Sequence, residues 1–218
     1  MILTQLQQLI GAIYDVSVAH DVYDFLVTDR GRLPQSVRSR SSEEDLIVAE
    51  AAAGGEAGVS LYLDPGVLER LRSENPMVRL HEGNVGDYWK ALEGVSHFLY
   101  VAWNAGHDRP VSILELEMQA EVDKYVASYW LLRRQLPNRF PAELRRILFE
   151  RTRIDPGLAE GREDLYREAS RYAEKFCRRL EQSLRRSGAG TEGEVLTELR
   201  RFYRLTNARK VAHIERSG

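Results

Sequence analysis

The sequence is poor in the features that most readily identify a function. Its 218 residues include a single cysteine, Cys177, which excludes an intrachain disulfide framework and a cysteine-rich zinc site. No stretch reaches the roughly 18 uninterrupted apolar residues of a membrane span. The first residues contain no cationic region followed by a small-residue cleavage site, so no signal peptide is predicted. We therefore expect a cytoplasmic protein that does not contact a membrane.

The motifs of the common enzyme classes are also missing. The sequence contains no G-x-S-x-G, no P-loop, no G-x-G-x-x-G and no H-E-x-x-H. It also lacks a helix-turn-helix, RNA-recognition or zinc-finger signature. The absence of these motifs favours a binding function over catalysis, and no cofactor is expected.

Charge is distributed unevenly along the chain. The formal net charge is −2, but residues 1–132 contain 10 Lys+Arg and 20 Asp+Glu, whereas residues 133–218 contain 21 and 13, giving net charges of −10 and +8. An acidic part and a basic part can attract each other within one molecule, can order a head-to-tail oligomer, or can direct the basic part to a polyanion.

Apolar periodicity predicts several short elements in the first third of the chain. Residues 4–14 have helical spacing with Thr4 as a possible N-cap, and residues 23–31 are typical of a short strand. The runs 45–51 and 58–64 predict a β-hairpin. The polar segment 30–45, which is rich in Arg and Ser, predicts an exposed loop.

The remainder of the chain is predicted to be helical. The predicted helices are 84–105, 112–136, 141–153, 162–186 and 192–205. The fold class is therefore α+β and mostly α. Residues 1–83 form a small N-terminal α/β section with a β-hairpin or antiparallel sheet, packed on a bundle of about five helices in residues 84–218. We expect the two parts to form one continuous domain.

The run LEGVSHFLYVAW at residues 92–103 contains a glutamate and a histidine one helical turn apart. On a helix its apolar residues share one face, and the opposite face carries a polar column: Glu93, His97, Tyr100 and Asn104. The helix 112–136 has apolar residues on two arcs, which predicts neighbours on two sides. Two polar strips lie between these arcs, one with Glu117, Glu121, Lys124 and Ser128, the other with Glu115, Gln119 and Asp123. At least one strip should reach solvent.

The connection between these two helices is short, which predicts an antiparallel helical hairpin. In such a hairpin His97 lies level with Glu117 and Glu121, and Glu93 lies level with Lys124. His97, Glu93 and Glu121 are then candidate catalytic residues for acid/base chemistry. The candidate metal ligands are His97, Glu93, Glu117 and Glu121.

A structural interpretation of the same residues is also open. The polar columns can face water, or His97 can bond one carboxylate while Glu93 and Lys124 form a surface ion pair. Carboxylate bundles that hold two metal ions use Glu-x-x-His pairs on two helices, whereas this sequence has one histidine at i, i+4 spacing. The spacing favours the structural interpretation.

An arginine-rich face extends along the helix 162–186 and continues to about residue 210. The candidate binding residues are Arg171, Arg178, Arg179, Arg201 and Tyr100. Glutamates interrupt this face, and it can equally be a solvated surface or a surface that packs against the acidic part of the chain.

Three functions therefore remain open. The first is a non-catalytic interaction or adaptor module, in which oppositely charged faces bind a protein partner or a second copy of the chain. The second is a metal-dependent or acid/base enzyme that uses the His/Glu seam between the helices 84–105 and 112–136. The third is a nucleic-acid-binding protein that uses the basic C-terminal half.

Overall fold

The computed structural model describes residues 1–35, 43–49, 58–151, 163–186 and 191–216. These residues form eight α-helices and a three-stranded sheet, so the predicted α+β, mostly α fold is confirmed. The helices are α1 (Ile2–Tyr14), α2 (Pro65–Ser73), α3 (Val85–Ala105), α4 (Ile113–Gln135), α5 (Leu144–Arg146), α6 (Glu163–Arg185), α7 (Thr191–Tyr203) and α8 (Asn207–Arg216). Across the described ranges, no helix is both long and apolar enough to cross a membrane.

The sheet has the strand order β1 (Leu26–Val27), β3 (Gly58–Leu63), β2 (Glu44–Ala49). β2 and β3 are antiparallel, with Leu46 opposite Leu61, so the predicted hairpin pairing is confirmed. The connecting residues 50–57 lie outside the described residues. β1 pairs with β3 in parallel, which makes the sheet mixed.

The predicted strand at 23–31 is confirmed only at β1. Short 3-10 turns flank β1, because the carboxylates of Asp21 and Asp29 accept hydrogen bonds from backbone N–H groups two residues later. The second of these turns, Arg30–Arg32, lies within the predicted loop 30–45. Residues 36–42 of that loop lie outside the described residues.

The predicted boundaries of the two central helices are correct to within one residue. Ser112 caps α4, since its Oγ accepts a hydrogen bond from the backbone N–H of Glu115 at 3.2 Å. The side chain of Glu115 does not complete a capping box, because it is buried and accepts a hydrogen bond from the Tyr100 hydroxyl instead.

Two other predicted helices differ from the structure. α1 begins at Ile2, so Thr4 is not its N-cap, and the Thr4 hydroxyl donates to Asp21 at 2.9 Å. The predicted helix 141–153 is a short α-helical turn, α5, followed by π-helical residues Ile147–Arg151. The final segment forms an additional helix, α8.

α3 lies at the centre of the packing. It contacts α1, α2, α4, β2 and β3, and its apolar residues Leu92, Val95 and Leu99 are fully buried. α4 packs against α3 on one side and α6 on another, so the prediction of neighbours on two sides is confirmed. Cys177 on α6 is a buried thiol within the same core. The polar faces of α3 and α4 are consequently enclosed between packed elements.

Candidate metal centre

Six ionisable side chains lie together where α3, α4 and β2 meet. This seam cluster consists of Glu44, Glu93, His97, Glu117, Glu121 and Lys124. Two of these residues on α3, Glu93 and His97, have i, i+4 spacing and therefore lie on one side of that helix. Glu117 and Glu121 have the same spacing on α4. The antiparallel packing of the two helices then brings the predicted residues together. Glu44 is the member that the sequence did not predict.

His97 lies between two carboxylates and is 95% buried. Its Nδ1 is 3.7 Å from Glu44 Oε1, and its Nε2 is 3.6 Å from Glu117 Oε2. Both distances allow ion pairing but exceed the length of a hydrogen bond. Burial lowers the pKa of His97, but the two carboxylates raise it more, so that the pKa lies well above its usual value. The Nε2 atom makes no hydrogen bond with any residue that the structure describes.

Lys124 forms the second half of the cluster. Its ammonium is 2.6 Å from Glu93 Oε2 and 2.8 Å from Glu121 Oε1. Burial raises the pKa of Glu93, but Lys124 and His97 lower it more, so the Glu93 carboxyl is held ionised. Burial opposes the charge on Lys124 as well, yet the two carboxylates raise its pKa above the usual value. Glu93 and Lys124 thus form the ion pair that the structural interpretation expected, but the pair is largely buried rather than on the surface.

Glu44 reaches the cluster because the sheet approaches α3 closely at Gly94. A Cβ atom at residue 94 would lie 2.6 Å from Leu61 Cδ1 and 3.1 Å from Glu44 Cγ, so a side chain there would force the side chains of Leu61 and Glu44 to shift. Burial raises the pKa of Glu44 to about 7, with His97 lowering it and the nearby Glu93 and Glu117 raising it further.

The alternation of β2 is the one sequence signal that could have identified Glu44. Glu44 lies two residues before Leu46, and a strand directs such residues to the same face. Leu46 packs against the core, so the face that carries Glu44 is the inner one. Its position next to His97 depends on the packing of β2 against α3, which local periodicity does not determine.

The cluster has an excess of negative charge. Among the described residues, its four carboxylates outnumber the two groups that can carry a positive charge, Lys124 and His97. Uncompensated charge is costly in a buried site unless it is neutralised by protons or by a cation. The arrangement therefore favours the binding of protons or of a cation.

Three members of the cluster can act together as ligands. Glu93, His97 and Glu117 each offer one ligand atom, and these three atoms lie within 4.8 Å of one another. A mixed set of imidazole and carboxylate ligands suits first-row divalent ions such as Zn²⁺, Mn²⁺ and Fe²⁺. Glu44 lies beside the other imidazole nitrogen, which is where metal-binding histidines usually have a carboxylate or carbonyl partner.

The cluster reaches solvent at one end. The side chains of Glu93 and Glu121 are 25% and 22% exposed, whereas that of His97 is 6% exposed. The expectation that a polar strip of α4 reaches solvent therefore holds only at Glu121. The other strip, Glu115, Gln119 and Asp123, is buried, and its polar groups hydrogen-bond to residues of α1, α3 and α8.

Tyr100 and Asn104 continue the polar column of α3 but belong to a different group of side chains. The Tyr100 hydroxyl donates to Glu115 at 2.5 Å, and the Asn104 amide donates to the backbone carbonyl of Tyr100. The Tyr100 ring lies 4.5 Å from the ammonium of Lys210, which is fully buried on α8. Tyr100 is a predicted binding residue, but it is fully buried in the core and does not lie on a surface.

The Lys210 network is a second buried polar group. The Lys210 ammonium donates to Gln119 Oε1 at 2.5 Å, and the Gln119 amide donates to Asp123 at 2.7 Å. Asp123 also accepts hydrogen bonds from the hydroxyls of Tyr14 and Ser96. Burial raises the pKa of Asp123 to about 6 and lowers that of Lys210 to about 7. Sequence reasoning missed this network because its members come from four separate helices.

Several predicted binding arginines contact residues of their own chain. Arg178 pairs with Glu174 at 2.7 Å, Arg179 lies over the Phe176 ring, and Arg171 lies over the Tyr172 ring. Burial lowers the pKa of Arg179. Arg171, Arg178 and Arg201 are exposed on the surface.

Comparisons with models of protein families, with curated proteins and with solved structures found no match to this chain.

Proposed function

We propose that this protein is a divalent-metal-dependent enzyme. Glu93, His97 and Glu117 bind one ion, and the ion activates a water molecule at the end of the seam cluster that reaches solvent. The reaction class is hydrolysis, because a bound divalent ion lowers the pKa of its water and generates a hydroxide nucleophile near neutral pH.

The observation that carries this proposal is the environment of His97. Its buried Nε2 makes no hydrogen bond within the described ranges and lies 3.6 Å from the Glu117 carboxylate, while its Nδ1 lies 3.7 Å from that of Glu44. Buried polar nitrogens are normally hydrogen-bonded, so an unsatisfied one calls for an explanation. A metal ion bound by Nε2 supplies that explanation, and Glu44 then orients the imidazole from the opposite side.

The number of ligands supports a catalytic rather than a purely structural ion. Structural zinc sites are closed by four protein ligands, whereas catalytic sites have three and keep a position for water or substrate. The close group has three members, Glu93, His97 and Glu117. Glu121 lies at the solvent-exposed end, where it can accept a proton from the bound water.

Metal binding by the purified chain tests this proposal. The protein is prepared without a histidine tag, stripped with a chelator, and dialysed against Zn²⁺ or Mn²⁺ before elemental analysis. The wild type should bind one ion per chain, and His97→Ala should weaken binding by a factor of at least about ten, because loss of a partner that merely orients a ligand already costs about that much. His20→Ala is the matched control, since His20 is exposed and outside the cluster. A wild type that binds no ion refutes the proposal.

The catalytic part of the proposal has a separate test that needs no known substrate. In the Mn²⁺-loaded protein, the relaxation rate of water protons reports whether the ion keeps a water ligand that exchanges with solvent. We expect at least one such water. A bound ion without any exchangeable water would show a closed, structural site and would exclude the proposed hydrolysis.

The adaptor function predicted from the charge distribution has less support. It requires arginines that are available to a partner; Arg179 is only partly exposed and lies over the Phe176 ring, whereas Arg178 is exposed and pairs with Glu174 on its own helix. Binding of a protein or nucleic acid through Arg171 and Arg201 stays a prediction.

A further inference from the structure

The Lys124 ammonium occupies a cation position next to the proposed metal ion. It contacts Glu93 at 2.6 Å and Glu121 at 2.8 Å, and its side chain is only 9% exposed. A lysine ammonium is a compact charge with three donors, and burial of such a group requires close carboxylate partners. The two glutamates supply them, so that the ammonium is enclosed in the way that a metal ion would be.

Glu93 is shared between the two halves of the seam cluster. Its Oε2 contacts Lys124, and Glu93 is also one of the three residues whose ligand atoms lie within 4.8 Å of one another. A carboxylate in this situation can bridge two cations. Enzymes with two-metal sites hold their ions about 3.5–4 Å apart, and in this chain the second cation is the ammonium.

The charge of the cluster is consistent with one divalent ion and one ammonium. With His97 neutral as a ligand, Lys124 and one divalent ion together balance the three carboxylates of Glu93, Glu117 and Glu121. Without Lys124, one divalent ion would leave one of these three carboxylates without a counter-charge. The ammonium thus removes the electrostatic reason for binding a second ion.

We propose that Lys124 takes the place of a second metal ion and restricts the seam cluster to a single ion. Lys124 is then the residue that determines how many ions the site binds, with Glu121 as the ligand that a second ion would use. This inference rests on the proposed function, because it requires an ion at Glu93, His97 and Glu117.

The stoichiometry of Mn²⁺ binding tests this role, with equilibrium dialysis and elemental analysis as the measurement. The wild type should bind one Mn²⁺ per chain and Lys124→Gln should bind two. Lys124→Gln combined with Glu121→Gln should again bind one, because the additional ligand is lost. Lys90→Gln is the matched control, since Lys90 lies on α3 outside the cluster and pairs with Glu43, and it should bind one ion.

Electron paramagnetic resonance gives an independent readout of the same change. Two Mn²⁺ ions bridged by Glu93 should give the spectrum of a spin-coupled pair in Lys124→Gln, whereas the wild type should give the spectrum of an isolated ion. If Lys124→Gln binds one ion with an uncoupled spectrum while the wild type also binds one, the role of Lys124 is overturned and the proposed function stands. If the wild type binds no ion, the proposed function fails, and this inference fails with it.

Loss of Lys124 leaves two largely buried carboxylates without their counter-ion, so the folding of Lys124→Gln is followed by circular dichroism at increasing Mn²⁺ concentration. A second ion in place of the ammonium should restore the wild-type spectrum as two ions bind. A chain that stays unfolded at saturating Mn²⁺ overturns the inference.

Discussion

Replacement of Lys210 by methionine should change how the stability of the protein depends on pH. The Lys210 side chain is fully buried, donates to Gln119, and lies 4.5 Å and 4.8 Å from the ring centroids of Tyr100 and Phe202. Burial lowers its pKa from 10.5 to about 7, with Glu115 and Asp123 opposing part of that shift. Methionine has a similar length and no titratable group.

The sign of the effect follows from the direction of this pKa shift. Between about pH 7 and pH 10.5 the unfolded chain binds a proton at Lys210 and the folded chain does not, so stability rises with pH in this window. The cost of burying the charged amine is fully present below about pH 7 and disappears as the pH approaches 10.5. A shift of this size corresponds to about 5 kcal/mol in total, since one pKa unit is worth about 1.4 kcal/mol. From pH 7 to pH 9 the wild type should gain about 2 kcal/mol relative to Lys210→Met.

Urea unfolding followed by tryptophan fluorescence measures this difference at pH 7 and pH 9. The relevant quantity is the change in the free-energy difference between wild type and variant, in which titrating groups that do not interact with Lys210 cancel. Asp123 contributes to the difference, because Lys210 lowers its pKa. Lys175→Met is the control, because Lys175 pairs with Glu215 in a more exposed position and should show no such change. A Lys210→Met difference that stays constant within about 0.5 kcal/mol would refute the lowered pKa of the buried Lys210, since the linkage relation requires a larger change.

Gly94→Ala should destabilise the chain by about 1 kcal/mol and weaken metal binding, because the added methyl group would lie 2.6 Å from Leu61 Cδ1 and displace Glu44. Gly86→Ala on the same helix is the control, because its added methyl group meets no heavy atom within 4 Å and should stabilise the protein by up to about 1 kcal/mol. Equal changes in the free energy of unfolding for the two variants, measured by urea unfolding, would contradict the close approach at Gly94. If the basic face binds polyanions, Arg171→Glu combined with Arg201→Glu should elute from heparin at lower salt with an unchanged circular dichroism spectrum, because both residues are exposed. Elution at the wild-type salt concentration would exclude this face as a polyanion site.

Helical periodicity was sufficient to predict most of the seam cluster. The residues of one helix face recur every three or four positions, and the short connection between α3 and α4 leaves little freedom in how the two helices pair. Glu93 therefore lies opposite Lys124, at 2.6 Å, as the hairpin predicted. The same periodicity did not show that the column faces inward, because α1 and the sheet cover α3 on the sides that a two-helix argument leaves open.

Contacts between distant parts of the chain could not be predicted in this way. Glu44 reaches His97 because Gly94 lets the sheet approach α3, and the distance between these elements depends on the whole packing. Lys210 bonds Gln119 across 91 positions of sequence. A lysine in the last helix is ordinarily expected at the surface, since lysine is almost never fully buried unless it is paired. Only the tertiary structure reveals its partners.

X-ray absorption spectroscopy of the Zn²⁺-loaded chain tests the central claim most directly, because it reports the ligands of the ion itself. The proposed centre predicts a single imidazole with oxygen ligands at about 2.0–2.2 Å and no sulfur. In His97→Ala the imidazole scattering should be lost. A spectrum with two or more imidazoles, with a sulfur ligand, or with the same imidazole signal in His97→Ala would contradict a metal centre formed by Glu93, His97 and Glu117.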